Sequence, residues 1–209
     1  MFGNVHPEVA HSATNLARLL RKTGRLEEAE PLYLQALDVR RRVHGEKHPE
    51  VATSLNDLAT LHSSNGDFAA AELLYRQSLA MRREILGDEH WYVAMSLNNL
   101  AVLLNRTGRH VEAEPMYRES LRLMRRLRGD RHPDVATAMT NLAGVLVKMD
   151  EFTEAESLQL EALEIRRGAF GDEHLETAKS YRLLVDFYTA WGKPEAAARY
   201  QKLLARIPG

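Results

Sequence analysis

The sequence predicts an all-α solenoid of five helix-turn-helix repeats. Three observations predict it: a fixed 42-residue period, helical spacing of apolar residues within each period, and glycines where helices must stop. His6, His48, His90, His132 and His174 mark the period and divide the chain into repeats 6–47, 48–89, 90–131, 132–173 and 174–209. A unit of this size cannot bury an apolar face alone, so the repeats stack into a single array over residues 1–209.

In the first repeat, Val9, Ala13, Leu16, Ala17, Leu19 and Leu20 recur with helical spacing. Pro7 stands where a first helical turn tolerates proline, so helix A spans about residues 7–22. Gly24 breaks that helix, and Leu26, Ala29, Leu32, Tyr33, Ala36 and Leu37 carry helix B to about Val43. Glu27, Glu28 and Glu30 crowd the start of helix B and Arg40 to Arg42 its end, each complementing the helix dipole. Gly45 is expected to close it as a left-handed cap. Pro31 and Pro115 lie about a turn inside helix B and should bend it slightly.

The later repeats follow the same grammar, and superimposing them separates structural columns from variable ones. Alanine recurs at 10, 52, 94, 136 and 178 and at 29, 71, 113, 155 and 197, where small side chains let helices approach closely. Leucine recurs at 16, 58, 100, 142 and 184 and is expected to fill the seam. The turn glycine recurs at 24, 66, 108 and 192, with Asp150 in the fourth repeat, a residue type that tolerates left-handed geometry. Gly3 shares a column with Gly45, Gly87, Gly129 and Gly171, as if it belonged to the tail of a preceding repeat. In the last repeat Leu183 replaces the asparagine and Gln201 the tyrosine, as suits a repeat with one neighbour.

The spacing Ala17, Gly24, Ala29, Tyr33, Ala36 resembles the tetratricopeptide repeat (TPR), lengthened from its usual period to 42 residues. Asn98-Asn99-Leu100-Ala101 and the Ala-Glu-Pro-Leu-Tyr run ending at Tyr33 resemble the repeats of kinesin light chain and similar bacterial proteins. The resemblance implies a right-handed array whose helix A residues line a concave groove. Thr14, Asn15, Arg18, Arg21 and Lys22 are expected there, because the opposite stripe of helix A holds the alanine and leucine seam.

Translation by 42 residues extends the groove to Asp57, Asn99 and Asn141, flanked by Asn56, Asn98, Thr140 and Arg182. An amide both donates and accepts, so a ladder of amides can hold an extended peptide whatever its side chains; in the resembling families asparagines here hold peptide backbone. The other reading is that these groups are solvated or bond neighbouring helices. Arg18, Arg21, Lys22, Arg106, Lys148, Lys179 and Arg182 make the groove basic against chiefly Asp57 and Asp186, which favours an acidic ligand. Val102, Gly144 and Val147 offer an apolar pocket, and Asn105 lies on the same stripe as Asn98 and Asn99.

Composition narrows the function. With 28 basic and 29 acidic residues the net charge is −1, so neither nucleic acid nor membrane is an expected partner. The arginine runs at 40–42, 82–83, 125–126 and 166–167 read as helix-end complements paired with acids such as Asp38, Glu84 and Glu164. No cysteine is present, which excludes disulfides and a thiolate nucleophile and fits a reducing, cytoplasmic setting. The opening MFGNV has neither the basic nor the apolar region of a secretory signal.

The histidines recur about one helix-packing distance apart, roughly 10 Å, too far to share a zinc ion whose bonds are about 2.0–2.1 Å. They are expected to sit at the start of helix A and bond the preceding turn. No phosphate loop, nucleophile elbow or metalloprotease motif occurs, so neither enzyme activity nor a cofactor nor a metal is expected. The expected role is a scaffold binding a protein segment, extended or acidic. The alternatives are a regulatory module of a larger protein, or an element that self-associates end to end through its exposed end repeats.

Overall fold

The computed structural model describes residues 6–207, and the described chain is built from ten α-helices. It divides into two compact units, Met1–Thr107 and Gly108–Gly209. The first holds α1 (Pro7–Lys22), α2 (Leu26–His44), α3 (Pro49–Asn65), α4 (Phe68–Leu86) and α5 (Trp91–Arg106). The second holds α6 (His110–Arg128), α7 (Pro133–Lys148), α8 (Phe152–Phe170), α9 (Leu175–Ala190) and α10 (Pro194–Leu204). Odd-numbered helices are helix A of a repeat and even-numbered ones helix B. Within each unit every helix packs on its neighbours in sequence. Gly3, the opening pentapeptide, Pro208 and Gly209 lie outside the described residues.

Local chemistry explains the boundaries. Each period-marking histidine is the N-cap of its own helix A: the Nδ1 atoms of His6, His48, His90, His132 and His174 accept from the backbone N–H two residues on, at 3.1–3.2 Å. This corrects the expectation of a bond to the preceding turn. The imidazole does the work that Ser or Asp does at most caps, satisfying a donor that the helix leaves orphaned. The turn after helix A needs one residue at positive φ, which Gly24 supplies at +79° and Asp150 at +61°. Gly45 also has positive φ (83°) but its ψ is 175°, so the chain leaves helix B extended instead of in the left-handed cap expected from sequence. Pro31 and Pro115 both lie inside continuous helices.

The alanine columns are almost fully enclosed: Ala52, Ala94, Ala136, Ala71, Ala113 and Ala155 have no exposed surface. In the first unit Ala17, Leu20, Ala29, Tyr33 and Leu37 join Val51, Leu55, Leu58 and Leu61 in one cluster that runs from α1 through α2 to α3. Burying each leucine of that cluster contributes about 1.5–3 kcal/mol. The leucine seam holds at Leu58, Leu100, Leu142 and Leu184, but Leu16 is 48% exposed.

The arginine runs depart from expectation. Arg42 pairs with Asp38 and Arg167 with Glu164, but Glu84 pairs with Lys47. The first member of three runs is no helix-end ornament: Arg40, Arg82 and Arg166 are buried, and each donates from Nη1 to a serine on the next helix A. The acceptors are Ser54, Ser96 and Ser180, each 14 residues on, at 2.6–2.7 Å. Desolvation lowers the pKa of Arg82 and Arg166, but both remain cations at any ordinary pH. At the equivalent positions of the third and fourth repeats stand Met124 and Ala138, both buried. Charge and hydroxyl have been exchanged together for two apolar groups, the change that leaves no buried polar atom unpaired.

Two outcomes follow. Ser96→Ala should destabilise the fold by about 1–3 kcal/mol because buried Arg82 loses the shortest of its hydrogen bonds and keeps only longer ones to the Tyr92 carbonyl and Thr53 Oγ1, and adding Arg82→Met should restore most of that loss. Denaturant titration of the two single variants and the double variant measures the coupling. His90→Ala should cost about 0.5–2 kcal/mol through the lost cap, whereas His90→Asn, which can still accept from the N2 amide, should retain most of the stability.

Candidate functional site

All the residues expected to line the groove are carried by A helices. In the first unit α1 carries Asn15, Arg18 and Lys22, α3 carries Asn56 and Asp57, and α5 carries Asn98, Asn99, Val102, Asn105 and Arg106. In the second, α7 carries Asn141 and Lys148, and α9 carries Arg182. The cations Arg18, Lys22, Arg106, Lys148 and Arg182 are exposed, the amides Asn56, Asn98, Asn99, Asn105 and Asn141 are half-buried, and Asp57 is buried. Asn15 is exposed and Val102 half-buried. Thr14, expected beside them, is instead buried, and its hydroxyl donates to the Ala10 carbonyl of its own helix at 2.8 Å.

Several of these side chains hold one another across successive A helices of the first unit. Arg18 Nη2 donates to both oxygens of Asp57 at 3.1 and 2.9 Å. Asn99 Nδ2 donates to Asn56 Oδ1 at 3.0 Å. Arg106 Nη1 donates to Ser63 Oγ at 2.9 Å, and its guanidinium lies over the Phe68 ring, 5.2 Å from the centroid. Each contact spans about one repeat, so the polar stripe is a ladder that ties α1 to α3 and α3 to α5. The bond between Asn99 and Asn56 uses one donor and one acceptor, and a primary amide has two donors and two acceptor lone pairs.

Asp57 is the acid of this ladder. Burial pushes its carboxyl above the ordinary aspartate range, while Arg18 and, through longer-range attraction, Arg40 and Arg82 pull it back. Burial therefore prevails over a well-formed ion pair, because half-exposed Arg18 is itself screened by water. In the second unit Lys179, expected among the groove cations, pairs with Glu176 of its own helix.

Bonds between neighbouring helices are among the readings the sequence leaves open, but the particular partners Ser63 and Phe68 are not. Ser63 and Phe68 lie outside the columns that repeat as amides, and no signal in one sequence marks them. No group of three or more His, Cys, Asp or Glu side chains among the described residues is arranged to hold a metal ion. No described helix is long and apolar enough to cross a membrane.

The tetratricopeptide repeat family profile matches residues 8–84, 92–156 and 134–207, and a second tetratricopeptide repeat profile matches residues 56–123. The chain belongs to the tetratricopeptide repeat family. Its fold class is accordingly the all-α solenoid of that family, and repeats of this family mediate protein–protein interaction. Among solved structures it is similar to BtubC (BKLC) from P. vanneervenii, with 25% identity and TM-score 0.82 over 95% of this chain and 81% of that one. It is similar also to a Podosopora anserina putative kinesin light chain with nearly identical TPR-like repeats, at 24% identity and TM-score 0.81, covering 96% of this chain and 95% of the other. YrrB, a TPR protein with an unusual peptide-binding site, is a more distant likeness at 17% identity and TM-score 0.56, covering 92% of this chain and 82% of that one. No curated protein matches the chain.

Within the TPR array the Asp57 ion pair carries a pH signature. Its folded-state pKa is raised above the unfolded value, so the folded state gains protons first and stability rises as pH falls through the folded pKa. Asp57→Asn keeps the shape and removes the buried charge. It should melt higher than the parent at pH 7, and the difference should shrink as the pH falls towards 4; parallel melts at the two pH values test this.

Proposed function

We propose that this TPR array is a non-catalytic scaffold that holds an extended, acidic protein segment along its A-helix stripe. The observation that carries the reading is the set of half-buried amides on α3 and α5 (Asn56, Asn98, Asn99, Asn105) with exposed Lys22 and Arg106 on the same stripe. Partial burial strips water from an amide and raises the reward for a backbone partner, while an exposed cation remains able to steer a carboxylate. An extended segment rises about 3.4 Å per residue. Helices packed about 8–10 Å apart would therefore meet it at roughly every third residue.

The in-chain bond from Asn99 to Asn56 is compatible with this role. A ligand N–H or carbonyl can join it without breaking it, because the bond uses one donor of Asn99 and one acceptor of Asn56 and each amide has others. Charge sets the preference: Arg106 and Lys22 in the first unit, and Lys148 and Arg182 in the second, outnumber the acids on the A-helix stripe. The absence of cysteine from the sequence suits a reducing, cytoplasmic setting.

Asn99→Ala combined with Asn141→Ala should lower affinity for the tightest binder selected from an acidic extended-peptide library at least tenfold, while helicity and melting temperature are retained. The parent's affinity should also fall with added salt. Unchanged affinity in a well-folded double variant would refute the mechanism.

A further inference from the structure

The fourth repeat carries a glycine and a buried amide where the first three carry larger side chains. One A-helix column reads Arg18, Thr60 and Val102 and then Gly144, and one B-helix column reads Tyr33, Tyr75 and Tyr117 and then Gln159. These two columns meet: in the second repeat Thr60 Oγ1 and the Tyr75 hydroxyl are hydrogen-bonded at 3.0 Å. The Tyr33 and Tyr75 hydroxyls also feel the charges of Arg21 and Asp57, so the tyrosines of this column reach the A-helix stripe. Gln159 starts from the equivalent place on α8 and is shorter.

Packing explains neither replacement. Gly144 lies inside α7, where glycine is a poor helix former, and its backbone is not in the left-handed region that would require it. A Cβ added there would meet no atom within 4 Å, so no neighbour excludes a larger side chain. Gln159 is 4% exposed, and its Oε1 is buried without a hydrogen-bond partner. A buried acceptor left unpaired is unfavourable, and an apolar residue of similar size would avoid the loss. Open space on the stripe and an unmet acceptor beneath it thus stand in adjoining columns of one helix pair.

We propose that Gly144 and Gln159 form a subsite of the groove that takes a primary-amide side chain, glutamine or asparagine, from the bound segment. The inference rests on the reading of the A-helix stripe as the place where that segment lies. The ligand side chain enters over Gly144, and Gln159 swings about its own side-chain torsions to meet it. Two primary amides pair reciprocally, each donating an N–H to the oxygen of the other, so Oε1 acquires its donor. A carboxylate would leave Oε1 unpaired and a hydrocarbon would leave the whole amide unpaired, so the subsite rejects both. Gly144 admits the side chain and Gln159 selects it.

The test uses the full 209-residue chain and synthetic nonapeptides of glutamate and alanine in which a single glutamine, or a single leucine of similar size, is placed at each position in turn. Fluorescence polarisation should reveal a position at which glutamine binds at least fivefold tighter than leucine. Gln159→Leu should abolish that preference, and Gly144→Val, which restores the side chain of the third repeat, should weaken the glutamine peptide at least fivefold. In a nitrogen-15 spectrum the side-chain amide of Gln159 should shift with the glutamine peptide and stay in place with the leucine peptide. Gln159→Leu removes a buried unpaired atom, so it should melt no lower than the parent and its loss of preference is not a loss of fold. If none of the peptides binds, the reading of the stripe fails and the subsite with it. If they bind and Asn99→Ala with Asn141→Ala weakens them, but glutamine and leucine are equivalent at every position or the preference survives Gln159→Leu, the subsite alone is overturned.

Discussion

Two alanines per repeat set how closely the helices of this chain approach, and the rest of the structure follows from that distance. Ala52, Ala94 and Ala136 on the A helices and Ala71, Ala113 and Ala155 on the B helices have no exposed surface, so a larger side chain there would have to displace packed neighbours. Close approach turns the A helices into buried elements. Their leucines then gain full burial, and any polar group on the buried faces must find a partner inside the protein. The buried arginines Arg40, Arg82 and Arg166 each meet this need with a serine of the next A helix, and buried Ser78 meets it on the Ala52 carbonyl.

The third repeat shows that constraint at work in a single sequence. Arg40, Arg82 and Arg166 each face a serine, and where the arginine column reads Met124 the serine column reads Ala138. Had only one member changed, a buried guanidinium or a buried hydroxyl would have lost its partner on the facing helix. A paired replacement by apolar residues of suitable size costs little or nothing, since the desolvation of the charge is avoided along with the bond. The pair therefore contributes less to net stability than its short distances suggest. Its larger effect is on register, because an arginine 14 residues from a serine fits only one alignment of helix B on the next helix A.

The helices were legible because their signals are local. Pro7 at the first turn and Gly24 past the last put α1 at Pro7–Lys22, and Asp150 stands at positive φ where its column otherwise holds glycine. What was not legible depends on atoms a full repeat apart. Nothing in the run Arg40 to Arg42 distinguishes the buried first arginine from its two exposed neighbours until the next helix is laid against it. Thr14 fails as a groove residue for the same reason: its hydroxyl can satisfy itself on the Ala10 carbonyl one turn back, and then it can be buried. The histidines were placed correctly at the helix start, but the atom they bond is two residues ahead in sequence, a capping habit that Ser and Asp share and imidazole rarely advertises.

Of the two readings that sequence left open for the amides, the structure shows the bond between neighbouring helices in one pair, Asn99 and Asn56. Asn99 and Asn56 are bonded to each other, and Arg18 and Asp57 likewise, so the stripe contributes to stacking in the first unit. The two pairs differ in what they leave available. The amide pair uses one donor and one acceptor of groups that have more, whereas the ion pair neutralises the Arg18 cation. Asp57 sits in the column that carries asparagine at 15, 99 and 141, so at that level of the array one carboxylate oxygen stands in place of an amide nitrogen and takes up the charge of Arg18. The side chains that tie α1 to α3 and α3 to α5 are thus the same ones that set the charge and the hydrogen-bonding capacity of the stripe.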